Sequence, residues 1–245
     1  MQTLLIPALL DRHWPLLRWA FETPERHAVV LEESGERAEA LGLRHMHNDL
    51  CYPFVLIAGQ VLSALKSGRY DPDRTAVLIS QAADACRGSC LIRLLRPVLD
   101  REGFSRVGLL SLNTAGLDRR HGLRITGPMV RRAIAAAFWG DALMLLGNQT
   151  RPREAEAGET DRLIQSWTGC LSRDLRQGRG LGNGAILDRC REMAADFRRV
   201  PVSGRSPQKV AVVGELYTKY CRLGNWNLEK YLEEQGCEVG VGGLT

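Results

Sequence analysis

Two cysteines lie 35 residues apart, each just past an apolar segment and just ahead of a helical one. The first sits in Asn48-Asp49-Leu50-Cys51-Tyr52-Pro53, the second in Ser80-Gln81-Ala82-Ala83-Asp84-Ala85-Cys86-Arg87. Cys86 follows the apolar run Thr75 to Ile79, which reads as a buried strand. Thiols at strand-to-helix turns of a parallel sheet face the crevice at the carboxyl ends of the strands, where open α/β folds bind ligands. Soft thiolates in that place select zinc, copper(I) or iron–sulfur clusters. The same residues also serve as ordinary small hydrophobes in a core. Spacing alone leaves both readings open.

Other residue types offer less. His45 and His47 form a His-x-His pair ahead of Cys51, but a structural zinc site wants four ligands in paired short spacings. No second short pair accompanies it, so polar loop residues are the plainer reading. Glu215 follows an apolar strand and is either a general base or a polar anchor. The run Gly178-Arg179-Gly180-Leu181-Gly182-Asn183-Gly184 lacks a Gly-Lys-Ser/Thr ending and follows a helix, so it reads as an inter-helix turn, not a phosphate loop.

The elements that must position these side chains are visible in the alternation of apolar runs. Strands are expected at Thr3 to Ile6, Ala28 to Leu31, Thr75 to Ile79 and Val107 to Leu112. Helices are expected at Asp11 to Glu22, Pro53 to Lys66 and Leu91 to Glu102. Strands alternating with helices predict a parallel sheet covered on both faces. Residues 1–150 are therefore read as a Rossmann-like α/β subdomain carrying Cys51 and Cys86. Asn148 to Thr160 is polar and reads as a linker, with helices at Asp161 to Arg176 and Ala185 to Arg199 making 151–207 a helical connector. Residues 208–245 read as the start of a second, truncated α/β subdomain: strand Lys209 to Val213, helix Asn225 to Gln235, strand Cys237 to Val241.

Bulk properties bound the function. A chain of 245 residues with 44% hydrophobic and 25% charged residues is globular in composition. No apolar stretch has the length of a membrane span, and the first ten residues lack the basic region and cleavage site of a signal peptide. A cytoplasmic setting is expected, where seven cysteines are not a disulfide framework. The net charge of +5 is carried almost wholly by arginine, and only 6% of residues are aromatic. That argues against a stacking platform for single-stranded nucleic acid. The Arg-rich stretches Arg119 to Arg132 and Arg173 to Arg205 contain acids and read as solvated helix faces.

Several of these segments together resemble the 2-hydroxyacyl-CoA dehydratase family, above all its activase-related, D-component-like members. The resemblance runs over most of the chain. It includes Leu4-Leu5-Ile6-Pro7, His47-Asn48-Asp49-Leu50-Cys51-Tyr52-Pro53, Leu65-Lys66-Ser67-Gly68-Arg69-Tyr70-Asp71 and Leu99-Asp100-Arg101-Glu102-Gly103-Phe104. Towards the end it includes Val213-Gly214-Glu215-Leu216-Tyr217 and Asn227-Leu228-Glu229-Lys230-Tyr231-Leu232-Glu233-Glu234-Gln235-Gly236. The specific stretches are Asn-Asp-x-Cys-Tyr-Pro and Gln-x4-Cys-Arg.

The resemblance implies Rossmann-like subdomains with a 4Fe-4S-type iron–sulfur cluster between them, held by three cysteines. It also implies low-potential electron transfer to an acyl-CoA or similar substrate, with the electron supplied by an ATP-hydrolysing activator partner, and a homo- or hetero-dimer. Carried over by position, Cys51 and Cys86 match the first two ligands. Two departures stand out. The glycine-rich turn usual before the second cysteine is Ala82-Ala83-Asp84-Ala85 here, which places a carboxylate beside an anionic cluster. Cys90 is an addition four residues after Cys86, an extra ligand or a packing residue. Cys221, in the turn after the Lys209 to Val213 strand, is the best stand-in for the third ligand. Cys170, Cys190 and Cys237 read as packing. The competing reading is a cluster-less α/β scaffold or partner-binding subunit, and a zinc-binding regulatory domain ranks behind both. On either leading reading the isolated chain is inactive as a dehydratase.

Overall fold

The structure, a computed structural model, describes residues 1–32, 35–47, 49–80, 90–112 and 125–245. Contacts divide the chain into two compact units. The first comprises Met1–Ala8 and Phe21–Thr126, the second Leu9–Ala20 and Gly127–Thr245. The division expected from composition, with breaks after 150 and 207, runs differently. The long helix at Gly127–Thr150, expected with the first subdomain, belongs to the second unit.

The first unit is α/β with a four-stranded, all-parallel sheet. Its strands are β1 (Gln2–Ile6), β2 (Arg26–Val30), β3 (Thr75–Ser80) and β4 (Gly108–Leu112), in the order β2-β1-β3-β4. β1 pairs with β2 through Leu4↔Ala28 and with β3 through Leu4↔Ala76. β3 pairs with β4 through Leu78↔Leu110. Thr75 to Ile79 is buried throughout, as a central parallel strand covered on both faces must be. Between β2 and β3 run α2 (Gly35–His45) and α3 (Tyr52–Lys66), and α4 (Leu91–Arg101) links β3 to β4.

Every residue of α3 from Phe54 to Leu65 is buried. α2 is polar, and only Ala38 and Gly42 are buried in it. The two helices nearly touch at glycines. A Cβ on Gly59 would stand 1.7 Å from the Ala38 carbonyl oxygen, and one on Gly42 would stand 2.0 Å from that of Val55.

The second unit packs α1 (Trp14–Phe21), through Leu16, against α5 (Gly127–Thr150), α6 (Glu159–Gln177) and α7 (Asn183–Phe197). Trp139 of α5 is fully buried there and donates its indole N–H to the Ile186 carbonyl at 3.2 Å. The expected linker after Leu146 is shorter than composition suggests. α5 continues to Thr150, and Glu154 caps α6 by accepting the N–H groups of Gly158 and Thr160 at 2.6 and 2.8 Å. The glycine run is a turn between helices: Gly178 closes α6 with a φ of 66°. Arginines of the following stretch are paired with acids, Arg189 with Asp174 and Glu192, Arg191 with Asp188, Arg199 with Asp196.

The same unit holds a two-stranded parallel sheet, β5 (Gln208–Val212) with β6 (Cys237–Val241), in register Val210↔Val239. Between them come α8 (Leu216–Tyr220), α9 (Arg222–Asn225) and α10 (Leu228–Glu234). Val212, Val239, Val241, Tyr220 and Met144 form the core under this sheet.

Candidate functional site

The strand order makes the first sheet a doubly wound one with a switch point. β1 leads to β2 on one side, and the chain then crosses back to place β3 on the other. Ligands of open α/β sheets bind in the crevice outside the carboxyl ends of the strands at such a point. Here it lies beyond Ile6 of β1 and Ser80 of β3. The Ala8 N–H donates to the Gln60 side-chain oxygen at 3.0 Å, so a fully buried glutamine of α3 fixes the end of β1.

Cys51 is the residue before α3. Lys66, which closes α3, meets Glu102, just past the end of α4 (2.5 Å), so both helices finish at the edge where β3 and β4 begin. The 15-residue α3 is ~22 Å long, about the length of a six-residue strand, and its first turn therefore lies toward the carboxyl ends of the strands. Cys51 is half-buried there, with φ −60° and ψ 137°, and makes no side-chain capping bond to the helix. Cys90 stands in the equivalent place before α4 and is exposed, again with no side-chain capping bond. Both cysteines thus stand at helix N-termini on the carboxyl side of one sheet.

Cys86 lies outside the described residues, in the segment that leads from β3 to α4. Gln81 and the Ala82-Ala83-Asp84-Ala85 turn lie outside the described residues as well.

Cys221 belongs to the second unit. It sits between α8 and α9 with no exposed surface. Burial pushes its thiol up to about 11, with Asp11 adding to the effect. The nearby Gly224 backbone, the Tyr217 side chain and the Leu223 backbone favour the thiolate and only partly offset burial. A metal needs the thiolate, and this environment favours the thiol. Cys221 starts α9 through its carbonyl oxygen, which accepts the Gly224 and Asn225 N–H groups at 3.0 Å, and its thiol makes no capping bond. Cys190 is also held above its ordinary value by burial, in keeping with a packing role.

The structure answers the alternatives left open for Glu215. Its carboxylate accepts the N–H groups of Tyr217 and Thr218, both at 2.8 Å, and the Thr218 hydroxyl at 2.9 Å. It is the N-cap of α8 and has little capacity left for a general base. The two histidines diverge. His45 lies 3.2 Å from Glu102 and His47, exposed, 3.3 Å from Asp49. Among the described residues no group of three His, Cys, Asp or Glu side chains is placed to hold a metal ion. Among them, too, no helix is long and apolar enough to cross a membrane.

One arrangement escaped the sequence reading. His13, completely buried, lies with Nε2 2.9 Å from Oδ1 of Asp141, a residue 128 positions away. The only sequence signal was Asp141 itself, an acid in the apolar run Ala133 to Leu146 that needs a buried partner. No family model, no curated protein and no solved structure matches the chain.

Proposed function

We propose that this chain is an iron–sulfur-cluster-carrying subunit of the 2-hydroxyacyl-CoA dehydratase type, with Cys51 and Cys86 as cluster ligands. The observation that carries the reading is the place of Cys51. It stands at the start of α3 on the carboxyl side of a parallel sheet, and the segment bearing Cys86 leaves β3 at the switch point of that sheet. The sequence resemblance supplies the identity of the group. A half-buried thiol with no capping bond fits a ligand, and so does exposed Cys90 in the matching position before α4. Burial of Cys221 disfavours the thiolate, and Cys90 is the candidate for a third ligand at the edge that bears Cys51.

When bound, the cluster supplies low-potential electron transfer to an acyl-CoA or similar substrate. The chain's own part is to hold the group where the helix N-termini of α3 and α4 face an anion. Gln60 keeps the end of β1 in place beside it. As the resemblance implies, the electron would come from an ATP-hydrolysing activator partner. The β5–β6 pair reads as part of a second α/β subdomain, and the setting as cytoplasmic.

The test is anaerobic purification followed by iron, sulfide and zinc assays and a visible spectrum. Iron and sulfide in equal amounts, lost in Cys51→Ser and in Cys86→Ser but kept in Cys190→Ser, support the reading. Protein without iron or sulfide after anaerobic reconstitution, with both thiols alkylated at full rate, rejects it. A second reading, a cluster-less scaffold or partner-binding subunit, is favoured by the burial of Cys221, which holds its thiol in the protonated form. It predicts intact folding and partner binding in the Cys51→Ser, Cys86→Ser double variant.

A further inference from the structure

The Gly242–Thr245 segment leaves β6 and is bound to the second unit by a set of directed contacts. Asp141, 5% exposed, receives the Leu244 N–H on Oδ1 at 2.8 Å. On Oδ2 it receives the Thr245 N–H at 2.8 Å and the Thr245 hydroxyl at 2.6 Å. The Tyr220 hydroxyl donates to the carbonyl oxygens of Gly242 and Gly243 at 2.5 and 3.2 Å. Leu244 packs against the core of Val212, Tyr220 and Val241. The approach is close: a Cβ on Gly243 would stand 2.8 Å from Asp141 Oδ2.

The fourth group on this carboxylate is His13 Nε2. With Nε2–H donating to Asp141, the neutral ring leaves Nδ1 as a bare acceptor, and Nδ1 is buried with no hydrogen-bond partner. A protonated ring would place a second N–H there with nothing to accept it, which is costly in a dry site. Gly140 closes one side, since a Cβ there would stand 2.4 Å from the ring. Tyr220 closes another, edge-on at 5.9 Å.

We propose that Gly242–Thr245 is a strap whose closure on Asp141 is coupled to the protonation of His13, closed with the neutral ring and released with the charged one. The coupling follows from sharing. Three strap donors and His13 draw on one carboxylate. Removing the strap donors leaves Asp141 a stronger partner for a charged imidazole, so release favours proton uptake. Reciprocity requires that proton uptake favour release.

The charged and titratable groups around His13 agree with this. Asp141 of α5 is the acid it touches, and Tyr220 of α8 is the ring beside it. Lys219 lies over the Tyr220 ring at 4.8 Å. The neighbouring Asp11 and Arg12 are turned to Arg222 and Glu229. Burial holds the His13 imidazole below its ordinary value against the pull of Asp141. Burial works against the Asp141 anion, but bonds from Thr245, Leu244 and His13 outweigh it and hold that carboxyl below its ordinary value.

The experiment is NMR on the full chain, with histidine titrations and amide exchange in wild type, Thr245→Val, Gly243→Ala and His13→Gln. Thr245→Val removes one strap donor and leaves the fold intact. Gly243→Ala crowds the carboxylate itself. We expect the His13 midpoint to move up in both variants. We also expect protection of the Leu244 and Thr245 amides, relative to those of β6, to fall at least about fivefold as wild type is acidified through the histidine range, the low end of site–site coupling. His13→Gln should abolish that pH dependence. A His13 midpoint identical in wild type and Thr245→Val overturns the proposal, and so does strap protection that falls equally with acid in His13→Gln.

Discussion

The two parallel sheets finish their carboxyl edges in opposite ways. In the second unit the polar groups at that edge are committed. Glu215 caps α8 through its carboxylate, and Asp141 carries four donors. In the first unit Cys51 and Cys90 precede α3 and α4 without capping them through their side chains. Ser, Asp or Asn would stabilise those helices better. On the proposed reading, a thiol kept where a hydroxyl would serve the fold better marks the ligand edge. Cys221 of the second unit also makes no side-chain capping bond, and it differs from Cys51 and Cys90 in having no exposed surface.

The largest test concerns the base of the first edge. Gly59→Ala drives a methyl into the Ala38 carbonyl, backbone against backbone, so relief requires α2 and α3 to separate. The expected cost is about 3 kcal/mol or more, at the upper end for overpacking. Denaturant-dependent hydrogen exchange of β3 amides measures it. A cost below about 1 kcal/mol would show that α3 is not held as described.

Labelling separates the edges next. Exposed Cys90 should react with iodoacetamide at neutral pH at least about a hundredfold faster than Cys221, whose thiol is buried and shifted to about 11. Peptide mass spectrometry reads the ratio. Comparable rates would remove the contrast between the two edges.

Capping gives a smaller difference of sign. Glu215→Ala removes three accepted bonds at the start of α8 and should cost about 1 kcal/mol. Cys51→Ser in the metal-free protein should be neutral or stabilising by about 0.5 kcal/mol, because serine is a preferred cap. Thermal unfolding of the two variants compares them directly.

Acid should weaken the second unit, gradually. His13 binds its proton less tightly in the folded unit than in the unfolded chain, so its contribution is complete above the ordinary histidine range. That contribution is lost as pH falls through the range toward the lower folded value. Asp141, also held low, contributes above the ordinary carboxylate range and loses its contribution at still lower pH, with the same sign. All five tryptophans, Trp14, Trp19, Trp139, Trp167 and Trp226, fall in this unit, so their emission reports on it alone. The urea midpoint by tryptophan emission should drop between pH ~7.5 and ~5.5, and less so in His13→Gln.

Much of the first sheet was legible because its strands are continuous apolar runs. Thr75 to Ile79 reads the same in sequence and in structure. α2 was not legible. It buries only Ala38 and Gly42, and no apolar stripe marks it. The clue is two small residues four apart, which gain meaning only once Gly59 is known to face Ala38. α8 and α9 were missed because they have five and four residues, too few for any period to repeat. Cys51 was legible as a candidate from its position before an apolar helix. His13 was not, because its partner lies 128 residues away and nothing local marks a residue that pairs at that distance.

The second unit is discontinuous, and this sets an order on its assembly. Its core includes Leu16, which leaves the ribosome early, and Leu171, Met193 and Phe197, which leave much later. The first unit needs no residue beyond Thr126. During synthesis it can close around its own sheet while Leu9–Ala20 waits as an exposed apolar segment. That segment cannot be fully buried until β6 has emerged, since Leu10 packs under the sheet that β6 completes. Sequence separations this large slow folding and prolong the exposure of sticky intermediates. Slowed elongation past Thr126, or any pause before Cys237, should make this chain a client of chaperones that hold an N-terminal apolar segment.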